Sequence, residues 1–227
     1  MNVIIFGATG MIGRAVLREC LADDSVERVL TIGRTPLGLA HRKLRDVLQP
    51  DPSDLSDPAL ELAGYDACFF CLGVSAVGMK EDAYRRVTYD LTLTVARTLA
   101  AANPALTFAY VSGEGTDSTE RGRSMWARVK GRTENELLRL PFNAYMFRPG
   151  IVAPQRGVVS KTRLYRTVYA VTGPLLHLLR RVAPNLVTTG EQLGRSMIAV
   201  ATPGVDPGTR ILRPRDINRL ALALPEA

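Results

Sequence analysis

The stretch Val3-Ile4-Ile5-Phe6-Gly7-Ala8-Thr9-Gly10-Met11-Ile12-Gly13 decides how this chain is read. Four bulky apolar residues in a row suit a strand buried on both faces. The run breaks on Gly7, and apolar residues then recur at helical spacing in Met11, Ile12, Ala15, Val16 and Leu17, so a helix follows at once. The glycines at 7, 10 and 13 form a GxxGxxG pattern. A strand, turn and helix joined in this way direct backbone N–H groups and a helix N-terminus at one point, which suits a pyrophosphate. Gly7 allows the tight turn, Gly10 lets phosphates approach the backbone, and Gly13 lets the helix lie close on the strand. Thr9, Met11 and Ile12 fill the rest of the turn and count with the glycines as dinucleotide contacts.

Size and composition narrow the field. At 227 residues the chain is long for one average domain and short for two, so one domain over residues 1–227 is expected. Its net charge of +7 is spread along the chain with no polybasic run and no interleaved aromatics. That argues against nucleic acid and suits a binder of small anions. Three cysteines, an odd number, argue against a secreted disulfide framework. Cys68 and Cys71 make a CxxC inside an apolar strand, where a spacing of three puts the thiols on opposite faces. No metal-ligand set is evident. The N-terminus runs straight into the first strand, and the longest uncharged run near the C-terminus, 167–179, is too short to span a bilayer and contains Gly173-Pro174. A cytoplasmic protein without a transmembrane segment is the expectation.

Strand-like runs at 3–6, 28–32, 43–48, 66–72, 106–112 and 144–148 alternate with helical patterns, notably 11–21, 81–102 and 124–140. This predicts an α/β fold: a doubly wound, mostly parallel sheet covered on both faces, with ligands bound beyond the carboxyl ends of its strands. After Gly150 the alternation stops. A basic apolar stretch (161–182), a helix (191–201), a late strand (209–212) and a last helix from Asp216 remain. Residues 151–227 read as a substrate-side cap on the same domain.

The second strand ends Thr31-Ile32-Gly33-Arg34. An acidic residue near this point bonds the ribose 2′-hydroxyl of NAD, whereas an arginine accommodates a 2′-phosphate. Arg34, with Arg14 just after the third glycine, favours NADP over NAD. Asp51, in Asp51-Pro52-Ser53-Asp54, is placed to bond the adenine amino group and reads equally well as turn chemistry.

In order, the motifs are Gly7 to Gly13, Gly33-Arg34, Asp51 to Asp54, Cys71-Leu72-Gly73, Tyr110-Val111-Ser112, Val129-Lys130-Gly131 and Phe147-Arg148-Pro149-Gly150. As a set over about residues 1–200 they resemble the atypical short-chain dehydrogenase/reductases, in the epimerase-like branch near the Tat-interacting-protein oxidoreductases. The resemblance implies a Rossmann-like fold and a nicotinamide dinucleotide. It implies that Cys71, Leu72 and Gly73 border the nicotinamide ribose and that Ser112 is the active-site serine. Lys130 would bind the ribose hydroxyls and tune a tyrosine, and Pro149 and Gly150 would line the nicotinamide end.

One position departs from the family. Its catalytic tyrosine lies four residues before the lysine, one turn away on the same helix face, and here that residue is Trp126. An indole N–H donates a hydrogen bond but is no acid or base near neutral pH, so the usual proton relay lacks its donor. Lys130 is a substitute if burial lowers its pKa. Tyr84, Tyr89 and Glu114 are weaker candidates, and His41 and His177 lie outside the family's catalytic motifs. Trp126 is read either as a stacking surface for the nicotinamide or an aromatic substrate, or as a filler of a core gap. Arg121 and Arg123 precede its helix and would suit an anionic substrate. The basic ends of 161–181 suit a lid, a dimer surface or a peripheral membrane contact; monomer and homodimer both stay open. Two functions are carried forward: an NADP-binding oxidoreductase- or epimerase-like enzyme acting on a small anionic or aromatic molecule, and a non-catalytic NADP-binding sensor.

Overall fold

The computed structural model describes residues 1–153 and 187–224. Seven strands form one parallel sheet: β1 (Asn2–Phe6), β2 (Arg28–Gly33), β3 (Leu44–Leu48), β4 (Ala67–Phe70), β5 (Thr107–Val111), β6 (Asn143–Phe147) and β9 (Ile211–Leu212), in the order β3-β2-β1-β4-β5-β6-β9. β7 (Ile151–Ala153) and β8 (Val187–Thr189) pair apart from it. The helices are α1 (Met11–Ala22), α2 (Glu81–Arg85), α3 (Leu91–Ala102), α4 (Met125–Leu137), α5 (Gly190–Ala201) and α6 (Pro214–Ala221). This is the doubly wound, Rossmann-like domain that the alternation predicts.

Strand periodicity sorts the core into two layers. Val3 and Ile5 of β1 face α1 and α5, where they meet Val16, Leu193 and Met197. Ile4 and Phe6 face α3 and its Leu93, Ala96 and Leu99. Each such side chain, fully removed from water, contributes roughly 1.5–3 kcal/mol. An aromatic row crosses the second layer, with ring centroids 5.5 Å apart for Phe6–Phe70, 5.8 Å for Phe70–Phe108 and 5.3 Å for Phe108–Phe142. Cys68 and Cys71 fall in opposite layers, as alternation requires. Cys71 is half-buried against its layer, and its surroundings push the thiol up to about 12, which makes it a poor nucleophile.

The end of the chain is woven into the same layers. β9 extends the sheet beside β6, and α5 lies on α1 so tightly that a Cβ at Gly194 would stand 2.6 Å from Glu19 Cγ. The basic stretch 161–182, with His177, lies outside the described residues. The helical pattern over 81–102 is interrupted by a π-turn, Arg86–Asp90, between α2 and α3. No local signal in the sequence marks it.

The strand order reverses between β1 and β4, on either side of which the crossovers run in opposite directions. In an open α/β sheet the crevice beyond the carboxyl ends at such a point is where ligands bind. Gly7, which follows β1, and Cys71-Leu72, which follow β4, flank it.

Candidate functional site

Three glycines build the floor of the crevice, each for a separate reason. Gly7 has φ +81°, and a Cβ there would lie 2.8 Å from the backbone of Cys71 and Leu72, so the turn needs both the left-handed conformation and the absent side chain. At Gly13 a Cβ would stand 2.1 Å from the Gly7 carbonyl oxygen; α1 rests directly on the turn. Gly10 differs. Its φ is −77°, and its nearest neighbour would be the Gly7 oxygen at 3.3 Å. A side chain there would require the Gly7 oxygen to give a little, a far smaller demand than at Gly7 or Gly13. Gly10 is also the N-cap of α1, where no side chain accepts from the first-turn N–H groups. Unpaired donors and the helix dipole attract an anion.

Beside this turn lies a cavity of about 160 Å³ lined by Gly7, Thr9, Thr31, Arg34, Asp46 and Leu72, among others. Arg34 and Arg14 are both exposed, and neither makes an ion pair or a side-chain hydrogen bond among the described residues. Asp46 accepts from Thr31 Oγ1 at 2.7 Å and from Leu37 N at 2.9 Å, which fastens the loop that carries Arg34. No feature of the sequence singled out Asp46. Asp51 closes a turn: its Oδ1 accepts from Ser53 N at 2.9 Å and Ser53 Oγ at 2.6 Å, and these bonds hold its carboxyl below the usual range. Its neighbour Pro52 lines the cavity. An uncapped helix start, a cleared backbone at Gly10 and two unpartnered guanidiniums fit a phosphorylated dinucleotide.

The other half of the site belongs to α4. Gly131 lets this helix approach until a Cβ there would be 1.8 Å from the Asp117 carbonyl oxygen. That closeness brings the Lys130 ammonium onto the carbonyl oxygen of Ser112, to which it donates a hydrogen bond. Burial pushes Lys130 down from 10.5 to about 8, a drop partly offset by the charge of Glu134. Glu134, one turn further along, is fully buried. It forms an ion pair with Arg148 just beyond β6, whose Nε lies 3.1 and 3.2 Å from its two oxygens. Ser112 is 5 % exposed, and its hydroxyl donates to Glu134 Oε1, with Phe147 O as a second acceptor at 3.1 Å. Its proton therefore points into the protein, and its backbone carbonyl is what meets Lys130.

Trp126 stands one turn before Lys130 and is half-buried. A Cβ at Gly115 (φ +87°) would meet the indole Cη2 at 3.3 Å and Cζ2 at 3.6 Å, so the ring lies over the loop that follows Ser112. Pro149 joins the same loop by accepting from Glu114 N at 3.0 Å. The Glu114 carboxylate is occupied by Arg213 at 2.6 Å. Tyr84 is in the core, and Tyr89 lies under the Arg132 guanidinium, 4.9 Å from its carbon. His41 Nδ1 accepts from Lys43 N at 3.2 Å, far along the chain from α4. Arg121 and Arg123 are exposed on the loop before α4. Glu134 and Arg148 carry the centre of this site, yet sequence reading gave neither a role. The available signal was the spacing of four in Trp126, Lys130 and Glu134, which places all three on one face of a helix.

A larger opening, about 870 Å³, lies at the opposite edge of the sheet between Met1, Asn103, Asn143 and Thr202. It faces the amino ends of the strands and gathers none of the motif residues.

No family model matches the chain. In three dimensions it resembles the UDP-glucuronic acid 4-epimerase of Bacillus cereus in complex with NAD, with TM-score 0.65 and 13% identity over 93% of this chain and 76% of the epimerase. Protein HTATIP2 of Rattus norvegicus is 29% identical over 205 residues, 84% of this chain and 83% of that protein. Protein fmp52, mitochondrial, of Emericella nidulans is 31% identical over 163 residues, 68% of each chain. The chain belongs to the atypical short-chain dehydrogenase/reductases. Its domain has the Rossmann-like, epimerase-like fold of that family. The relatives also correct one expectation. Composition and the absence of a leader pattern pointed to the cytoplasm, but the fungal FMP52 relatives are named as mitochondrial proteins. Organelle targeting is read by receptors and leaves little trace in the composition of a folded domain. No helix among the described residues is long and apolar enough to cross a membrane.

Proposed function

We propose that this short-chain dehydrogenase/reductase binds NADP(H) across the Gly7–Gly13 turn and acts as an oxidoreductase or epimerase on a small anionic or aromatic substrate. In this reading Lys130 exchanges the proton that a tyrosine handles in its relatives. One observation carries it: a half-buried amine on α4, held by the Ser112 carbonyl and brought to about 8 by its surroundings. A general acid works best when its pKa lies near the working pH. When bound, the nicotinamide supplies or accepts the hydride. Lys130 donates a proton to the substrate oxygen in the reductive direction and removes it in the oxidative one. The unpartnered guanidiniums of Arg34 and Arg14 support the preference for a 2′-phosphate, since each can make a charge-assisted, bidentate contact with it. Cys71, Leu72, Gly73, Pro149 and Gly150 form the walls toward the nicotinamide. Calorimetric titration with NADPH and NADH, followed by a carbonyl-substrate screen at the nicotinamide absorbance, tests the reading. Equal affinity for the two cofactors would refute the NADP assignment.

A second reading, a cofactor-sensing protein without turnover, is favoured by Trp126 itself. It fills the tyrosine's position and packs on the Gly115 loop, so cofactor state could be relayed through that loop to a partner. Measurable wild-type turnover on any carbonyl substrate would exclude it.

A further inference from the structure

We propose that Glu134, tied to Arg148 in a buried ion pair, is a positioning residue that sets the charge state of Lys130 and turns the Ser112 hydroxyl away from the substrate. The proposal rests on the reading of Lys130 as the proton-exchanging group. Glu134 accepts the Ser112 proton and two or more guanidinium hydrogen bonds from Arg148. Arg148 is fixed in turn, its Nη2 donating to Ser118 Oγ at 2.5 Å. With its proton committed inward, Ser112 offers the crevice only lone pairs, which leaves Lys130 as the donor available to a substrate oxygen.

The electrostatics follow from the geometry. A carboxylate one helical turn from an amine favours the ammonium form, while burial opposes it. The two act together on Lys130, with burial the larger. Among the described residues, the other charged or titratable groups around the inner face of α4 include Arg148, Tyr110 on β5 and Tyr84 on α2. Burial raises both phenols, so neither carries charge near neutrality, and Arg148 is permanently charged. Glu134 is therefore the group that stops the amine from losing its proton altogether inside the fold. Without it, Lys130 would meet an apolar site and a neighbouring guanidinium.

The test measures Lys130 directly and needs no turnover. The chain has only four lysines, Lys43, Lys80, Lys130 and Lys161, so the ε-carbon resonances of lysine-labelled protein are few and are assigned by Lys130→Arg. Glu134→Gln keeps the shape and removes the charge; its Lys130 midpoint should fall by about one pH unit or more. Removing one partner of a buried pair can unfold a protein, whereas exchanging both for apolar residues is often tolerated. Glu134→Met with Arg148→Met is accordingly the second variant, and it too should lower the midpoint. A Lys130 midpoint unchanged from wild type in either folded variant overturns the proposal. If the midpoint falls but any turnover keeps its pH profile, the role of Glu134 stands, and the reading of Lys130 as the proton-exchanging group is the one that fails.

Discussion

Replacing Gly10 and Gly13 separately should divide what the glycine turn does for the fold from what it does for the ligand. At Gly10 the φ of −77° is open to any L-residue, and the one close contact of a new Cβ is 3.3 Å from the Gly7 oxygen. Gly10→Val costs a poorer N-cap, about 1 kcal/mol or about 2–4 °C in a domain of this size, together with a small shift of the Gly7 oxygen. Its isopropyl group would occupy the space in which phosphate oxygens meet the first-turn N–H groups of α1. Losing two charge-assisted hydrogen bonds, at about 1.5–3 kcal/mol each, lowers NADPH affinity at least about a hundredfold. Gly13→Ala should do the reverse. Its methyl would lie 2.1 Å from the Gly7 oxygen and 2.9 Å from Ala8 Cα, so α1 must shift. Overpacking of this kind costs about 1–3 kcal/mol or more, roughly 2–12 °C. Thermal unfolding without cofactor and calorimetric titration with NADPH read the two effects apart. A folded Gly10→Val protein that binds NADPH as tightly as wild type would place the crevice elsewhere and sink the assignment.

Arg34→Ala removes one unpartnered guanidinium and, at about 1.5–3 kcal/mol for a charged hydrogen bond, should narrow the NADPH over NADH preference at least about tenfold; parallel titrations measure it. Trp126→Tyr would put a phenol one turn from Lys130; with Lys130 already serving as the acid, reduction of activated carbonyls should stay level or fall, whereas a cofactor sensor without turnover should gain it, since general acid catalysis is worth about 10²–10⁴-fold. A lysine acting as acid must be protonated, so reductive turnover should stay level below about pH 8 and fall as pH rises past it. The oxidative direction should rise to a plateau above the same midpoint. Both pH profiles should vanish with the activity in Lys130→Ala.

The legible parts of this protein are those whose signals are local. The β1 run, its glycines and the periodicity of α1 lie within twenty residues of one another, and most strands of the main sheet were marked by a short apolar run, while β3 mixes apolar and charged residues over Leu44-Arg45-Asp46-Val47-Leu48. Gly131 is a different case. The motif marked the position, but its reason, contact with the Asp117 carbonyl, is tertiary. Glu134 was illegible because its partner Arg148 stands fourteen residues away beyond β6, and an isolated helical glutamate reads as a solvated one. Asp46 was hidden in the same way, since its bonds to Thr31 and Leu37 form only when β2 and β3 pair. Asp51 was left between two readings, and the bonds to Ser53 account for its turn chemistry without deciding what else it binds.

Trp126 is the only tryptophan in the chain, and its ring lies on the loop after Ser112, one turn from Lys130. All indole emission from this protein thus comes from a single point beside the Gly115 loop. If the proposed cofactor binds on the Lys130 side of α4, energy absorbed there should pass to a reduced nicotinamide, and loading should dim the protein's own light. This single indole gives the protein a built-in optical gauge that needs no dye and no label.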